Sequence, residues 1–172
     1  TAAQLVAQEL FVVKRDLKGR LLGEILKQYT GSVLLFVRTK IGARKVTQVL
    51  RGMRYAVAEI HANRSLSQRK EALNGFKSGR FRILVATDIA ARGIDVTGIE
   101  LVINFDLPDD PENYVHRIGR TGRAGREGRA ITFASPDQKK EIENIEKVMR
   151  LSIPRRTHPA FPAEQFDSTA SR

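Results

Sequence analysis

Apolar and polar positions alternate along this chain with two different periods. Val33-Leu34-Leu35-Phe36-Val37 is a continuous β-rich apolar run, the pattern of a strand buried on both faces. Ile83 to Ala86, Leu101 to Phe105 and Ala130 to Phe133 read as further strands, with Glu9 to Val13 and Tyr55 to Ile60 beside them. Between these runs the period lengthens to that of a helix. Leu17, Leu21 and Ile25, with Leu22 and Tyr29 alongside, predict a first helix with Asp16 as its N-cap. Val46, Val49, Leu50 and Met53 mark one side of a second, and Leu73 and Phe76 face inward from a third over Ser67 to Lys77. Pro111 to Ile118 is compatible with a helix, and a last one is expected from about Asp137 to Arg150, burying Ile142, Ile145 and Met149. Strands alternating with helices mean βαβ units, hence a mostly parallel sheet covered by helices on both faces.

That pattern fills residues 1–150. From Ser152 it fails, and residues 151–172, with Pro154, Pro159 and Pro162, read as an irregular basic tail, partly docked through Phe161 and Phe166. In a parallel sheet, ligands gather outside the carboxyl ends of the strands. The polar clusters fall there: Arg38-Thr39-Lys40, His61-Ala62-Asn63-Arg64, Thr87-Asp88, and Asn104 to Asp106. One rim of the domain is therefore expected to carry the function, with Arg38, Asn63, Thr87 and Asp95 together on it.

Charge narrows the partner. Charged residues are 28% of the 172 and the formal net charge is +11, which favours a polyanion over a membrane. The longest clear apolar run is far too short to span a bilayer. No cysteine is present, which excludes thiolate chemistry and fits a reducing, cytoplasmic setting. The chain opens at Thr1 without a secretory pattern and reads as an excised fragment.

The most distinctive stretch is His116-Arg117-Ile118-Gly119-Arg120-Thr121-Gly122-Arg123-Ala124-Gly125-Arg126-Glu127-Gly128-Arg129. An arginine recurs at every third position, and glycines between them let the backbone turn so that the guanidinium forks converge on one target. The plain alternative is a solvated basic stripe or an RNA-binding low-complexity repeat. His-x-x-Gly-Arg-x-Gly-Arg resembles the last signature of the DEAD-box RNA helicases, and His116 distinguishes it from the glutamine usual in related DNA helicases and DEAH-type enzymes. Ala86-Thr87-Asp88-Ile89-Ala90-Ala91-Arg92-Gly93-Ile94-Asp95 is similar, nearly letter for letter, to that family's fifth signature. Leu34 to Lys40 resembles its fourth, His61-Ala62-Asn63-Arg64 its His-Gly-Asp/Asn segment with Ala62 for glycine, and Arg69 the arginine of Gln-x-x-Arg, with Leu66 for the glutamine. The similarity spans about residues 8 to 150, and the wording around Val37-Arg38-Thr39-Lys40 and Ile153-Pro154-Arg155-Arg156 looks most like the bacterial RhlE-type subgroup.

The resemblance implies a RecA-like fold, the second domain of a two-domain helicase core. It implies Arg120 and Arg123 as arginine fingers on the terminal phosphate of ATP, and Asp95 as an acceptor for the ATP ribose. Thr39, Asn63, Arg69 and Thr87 become RNA contacts, while Arg92, His116 and Arg117 line the cleft toward the partner domain. Local alternatives stand beside these: Thr39 as a helix N-cap, Arg69 as an exposed helix charge, Asp88 as the cap of the next turn, Asp95 in an Asx-turn.

None of the 13 glycines is followed by lysine, so the sequence holds no Gly-Lys-Ser/Thr phosphate loop, and it holds no Asp-Glu-Ala-Asp tetrad. ATP, with its Mg2+, is then expected to be held mainly by an N-terminal RecA-like domain outside this chain. No metal site is expected here, and the fragment alone should be inactive. The expected function is the C-terminal half of an ATP-dependent RNA helicase. A non-enzymatic RNA-binding module and half of a DNA translocase are the competing readings. Asp95 with paired Arg120 and Arg123 argues against the first, and His116 against the second.

Overall fold

The structure, a computed structural model, describes residues 2–122 and 127–168. Seven strands form one sheet: β1 (Val6–Val12), β2 (Val33–Phe36), β3 (Val57–Ile60), β4 (Ile83–Ala86), β5 (Leu101–Asn104), β6 (Gly128–Ala134) and β7 (Arg155–Arg156). Their order across the sheet is β3-β4-β2-β5-β6-β1-β7, and every pairing is parallel. Six helices connect them: α1 (Lys18–Leu26), α2 (Lys40–Gly52), α3 (Leu66–Lys77), α4 (Asp88–Ala91), α5 (Pro111–Ile118) and α6 (Lys139–Met149).

The side-chain alternation of the strands divides the core in two. Leu34, Phe36, Ile60, Leu84 and Val102 pack on one face against Phe76 of α3, Tyr114 and Ile118 of α5, and Ile142 and Ile145 of α6. Val33, Leu35, Val37, Ile83 and Ile103 pack on the other against Leu22 and Ile25 of α1 and Val46 and Leu50 of α2. Strands buried on both sides explain why their sequences are unbroken apolar runs rather than alternating ones.

Several local expectations need correcting. Asp16 does not cap α1, because Arg15–Leu17 forms a short 3-10 turn and the helix starts one residue beyond it, at Lys18. β1 begins at Val6 rather than Glu9, because it pairs with β6 over its whole length, from Val6–Gly128 to Val12–Ala134. On α2 the inward stripe is Ala43, Val46, Thr47 and Leu50, while Val49 and Met53 lie on the shoulder, 45% and 40% exposed. Thr47 can be buried there because its hydroxyl donates to the Ala43 carbonyl at 2.7 Å. In the tail, Arg155 and Arg156 add a short edge strand to β1, and Phe161 and Phe166 pack against the two core faces.

Candidate nucleotide and nucleic-acid interface

Parallel strands bring all their carboxyl ends to one edge. In the order of the sheet, that edge carries the turn from His61 to Arg64 after β3, Thr87 after β4, Arg38 to Lys40 after β2, and Asp106 after β5. Local sequence shapes each of these turns. Thr39 caps α2, its hydroxyl oxygen accepting the Gly42 N–H at 3.0 Å, which leaves the hydroxyl proton to donate elsewhere. Ser65 and Gln68 form a reciprocal capping box that starts α3 directly after the His61–Arg64 turn. Asp110 caps α5 by accepting the Glu112 N–H, with Pro111 in the first turn and His116 and Arg117 favourably placed in the last.

Thr39 and Asn63 are exposed, Thr87 is nearly covered, and Arg69 is half-buried. Arg69 is more than a solvated helix charge, since its Nη2 donates to the Ala90 carbonyl at 3.0 Å and ties α3 to α4. Leu66, in the position where glutamine was expected, is 68% exposed at the start of α3.

Beneath this row lies a polar network that connects it. Arg117 is 2% exposed. Its Nε and Nη2 donate to the two carboxylate oxygens of Asp88, each at 2.7 Å, and its Nη1 donates to Asn104 Oδ1 at 3.2 Å and to the Asp106 carbonyl at 2.6 Å. The guanidinium also lies 4.9 Å from the Phe36 ring centre. Arg117, expected at the cleft toward a partner domain, has its fork committed inward, to this domain's own strand ends. Asp88 is likewise not the cap of α4. Thr87 occupies that position without a side-chain cap, and the Asp88 carboxylate is taken by Arg117.

Asp106 is a second organiser that the sequence reading passed over. Its Oδ2 accepts the Arg38 backbone N–H and its Oδ1 accepts from Lys18 Nζ, both at 3.0 Å. The sequence carried no clear signal for it, because Lys18 stands among Arg15, Asp16 and Arg20 and yet is only 6% exposed. Tyr114 sits deeper still. Its hydroxyl donates to Gln8 Oε1 at 2.6 Å and lies 3.1 Å from the Thr132 hydroxyl, and burial pushes its pKa far upward, so the phenol stays neutral.

Asp95 does not share the strand-end rim with Arg38, Asn63 and Thr87. The chain must return from the carboxyl end of β4 to the amino end of β5, and Asp95 lies on that return. It lines a hollow of about 550 Å³ with Ser32, at the amino end of β2, and Ser78 and Gly79, beyond the end of α3. The next return, from α5 to β6, runs alongside. Arg120 Nη1 donates to the Ile94 carbonyl at 2.6 Å, Thr121 Oγ1 donates to the Ile99 carbonyl at 2.5 Å, and Ile99 and Thr121 form a parallel bridge. Arg120 is thus fixed beside the backbone that carries Asp95. Arg92 and His116, both exposed, line with Arg120 a smaller hollow of about 70 Å³ above the Asp88–Arg117 pair. Arg123 lies outside the described residues. A Cβ on Gly128, at the start of β6, would stand 2.7 Å from the Thr121 carbonyl carbon and 2.8 Å from Gly122 N, so only glycine lets the chain pack this closely against the Thr121–Gly122 peptide.

The structure thereby sorts the candidate residues into two places. The strand-end row holds Thr39, Asn63, Arg69 and Thr87, and the paired return connections hold Asp95 and Arg120. Residues 17–125 match the family described as the helicase conserved C-terminal domain. This chain belongs to that family, in its DEAD-box branch. It is 43% identical over 150 residues to the RNA helicase CrhR of Synechocystis sp., covering 86% of this chain and 30% of that one. It superposes on the Escherichia coli DEAD-box protein SrmB, solved bound to the regulator of ribonuclease activity A, with a TM-score of 0.87 and 30% identity over 95% of this chain and 98% of that one. Saccharomyces cerevisiae Dbp5, solved bound to RNA and ADP BeF3, gives 0.81 and 33% identity over 88% of this chain and 41% of that one. Further relatives are named ATP-dependent RNA helicases. The chain spans about a third of the length of the first curated relatives it matches. The RecA-like arrangement expected from the sequence is the one found, an all-parallel sheet with α1 and α2 on one face and α3 to α6 on the other.

Proposed function

We propose that this DEAD-box C-terminal domain works in a longer, ATP-dependent RNA helicase, where it supplies half of the RNA track and the groups that complete ATP hydrolysis. The observation that carries the reading is the side-by-side course of the two return connections, which sets Arg120 against the Ile94 carbonyl next to Asp95. A carboxylate that accepts ribose hydroxyls and guanidinium donors for phosphate oxygens are what one nucleotide needs from a second domain. Asp95 receives the ribose, and Arg120 and Arg123 reach the terminal phosphate. Thr39, Asn63, Arg69 and Thr87 take RNA phosphates along the strand ends. Arg92 and His116 face the N-terminal domain, which holds ATP and Mg2+.

Support for this division also comes from the sequence, in which no glycine is followed by lysine, so phosphate cradling falls to the other domain. The chain by itself is then silent as an ATPase and binds RNA weakly and salt-sensitively. A cytoplasmic setting accords with a cysteine-free chain.

The test is RNA-stimulated ATPase kinetics with nucleotide titration on the full-length enzyme. A finger that meets phosphate only on domain closure contributes mainly to the transition state, so Arg123→Ala should lower kcat by on the order of a thousandfold with little change in ATP Kd. Arg123→Lys should be nearly as damaging, since an ammonium lacks the bidentate fork. Asp95→Ala should act chiefly on nucleotide affinity. Near-normal kcat in Arg123→Ala would reduce that arginine to a member of a basic stripe.

A further inference from the structure

Beside the strand-end row lies a buried polar group that the function proposed above does not use. Glu59 and His61 are two residues apart at the end of β3, so both side chains point to the α2 face, and they are 8% and 2% exposed. Arg64 closes the turn that follows, its N–H donating to the His61 carbonyl at 3.0 Å. Glu59 Oε2, His61 Nε2 and Arg64 Nε are each buried without a hydrogen-bond partner among the described residues.

One contact in this group reaches outward. The Asn63 backbone N–H donates to His61 Nδ1 at 3.2 Å, so that nitrogen is unprotonated and the ring proton sits on Nε2. Nε2 faces Glu59 Oε2 at 3.6 Å, and Glu59 Oε1 in turn stands 3.6 Å from Arg64 Nη1. The Asn63 side chain is held as well, its Oδ1 accepting from Lys40 Nζ at 3.4 Å. A single ring therefore fixes the backbone of the residue assigned to an RNA phosphate.

We propose that His61 is a positioning residue for RNA binding: its neutral ring, accepting the Asn63 N–H at Nδ1, sets the turn that presents Asn63 to the RNA backbone. The proposal rests on the RNA-track reading above. Its chemistry is a donor–acceptor swap. A ring protonated on both nitrogens would aim an Nδ1–H at the Asn63 N–H, two donors head to head, and the turn would have to open.

The surroundings set where this happens. Burial is the largest influence and lowers the His61 pKa from its ordinary value; Glu59 on β3 raises it, and Arg64 of the turn and Arg44 of α2 lower it further. With the folded pKa below the unfolded one, the closed turn is fully populated above the ordinary histidine range and is lost as the pH falls through the depressed value.

The experiment uses this chain, its His61→Asn and His61→Phe variants, and a single-stranded oligouridylate at low salt. Asparagine keeps an acceptor near the Nδ1 position and does not titrate, whereas phenylalanine fills the volume without an acceptor. In the wild type, the NMR shift of the Asn63 amide should follow the His61 ring titration with the same midpoint. RNA affinity should fall through that midpoint by about fivefold, the worth of one hydrogen bond. His61→Asn should bind like the neutral wild type at every pH, which also controls for the other two histidines. His61→Phe should be weak throughout. An Asn63 amide indifferent to the His61 titration, or His61→Phe binding RNA as the wild type does, overturns the proposal and leaves the RNA track standing. Wild-type protein that binds no oligouridylate at all overturns both.

Discussion

Arg117 and Asp88 are joined at two points, Nε to Oδ1 and Nη2 to Oδ2, both at 2.7 Å, although 29 residues separate them in the chain. The pair clamps α5 to the turn after β4, and through Asn104 and the Asp106 carbonyl to the turn after β5. It lies directly under the hollow lined by Arg92, His116 and Arg120. The surface arginines are thus supported from below by a buried one.

Removing either partner should be costly. Asp88→Ala strands a guanidinium that is 2% exposed, and breaking such a pair costs about 3–5 kcal/mol. Because the groups touch, Asp88→Ala and Arg117→Leu should not add, and a double-mutant cycle by urea unfolding should return about 2–3 kcal/mol of coupling. Strict additivity would mean that the pair is spectator geometry.

Gly128→Ala tests the neck of the arginine segment. The new methyl meets the Thr121–Gly122 peptide bond, a backbone contact that a rotating side chain cannot relieve. Overpacking of this kind costs about 1–3 kcal/mol and should lower Tm by several degrees. In the longer helicase proposed above it should also depress ATPase turnover more than RNA affinity, because the displaced residues belong to the group assigned there to the nucleotide and not to the strand-end row. Equal losses in both would merge the two groups.

Leu66→Gln restores the amide expected beside Arg69. Leu66 is 68% exposed, so the change should move stability by no more than about 0.5 kcal/mol. If an amide there orients Arg69 toward a phosphate, affinity for single-stranded RNA should tighten by up to about fivefold. An unchanged affinity would show that the Arg69–Ala90 hydrogen bond already does the orienting.

Acid should weaken the fold as well as the turn. The His61 pKa is lower folded than unfolded, so between those two values the unfolded chain binds the extra proton and stability falls as pH falls. Wild type and His61→Asn, compared by urea unfolding across pH 8 to 5, should diverge only below about 6.5, the ordinary histidine value, with the variant the less acid-sensitive. Parallel curves would assign the acid sensitivity to other groups.

Much of this could be read in the chain itself. Val33 to Val37 and Ile83 to Ala86 are apolar at every position, which only a strand covered on both faces tolerates, and that alone fixed a parallel α/β sheet with its polar turns on one edge. Pro111 to Ile118 gave both ends of α5, because Asp110, Pro111 and Gly119 carry the local chemistry of a start and a stop. The candidate residues were likewise legible as motifs. What local pattern could not supply was how these groups are spent. Arg117 looked like an outward arginine among five, and only packing showed it buried with Asp88, Asn104 and Asp106, since a partner 29 residues away leaves no periodic trace. Asp95 looked like a neighbour of Thr87 on the rim, and only the return path of a parallel connection carried it toward the amino ends and beside Arg120. Periodicity records which side of an element faces the core; which charges meet there is decided by tertiary contact, because a buried charge is costly unless it is paired.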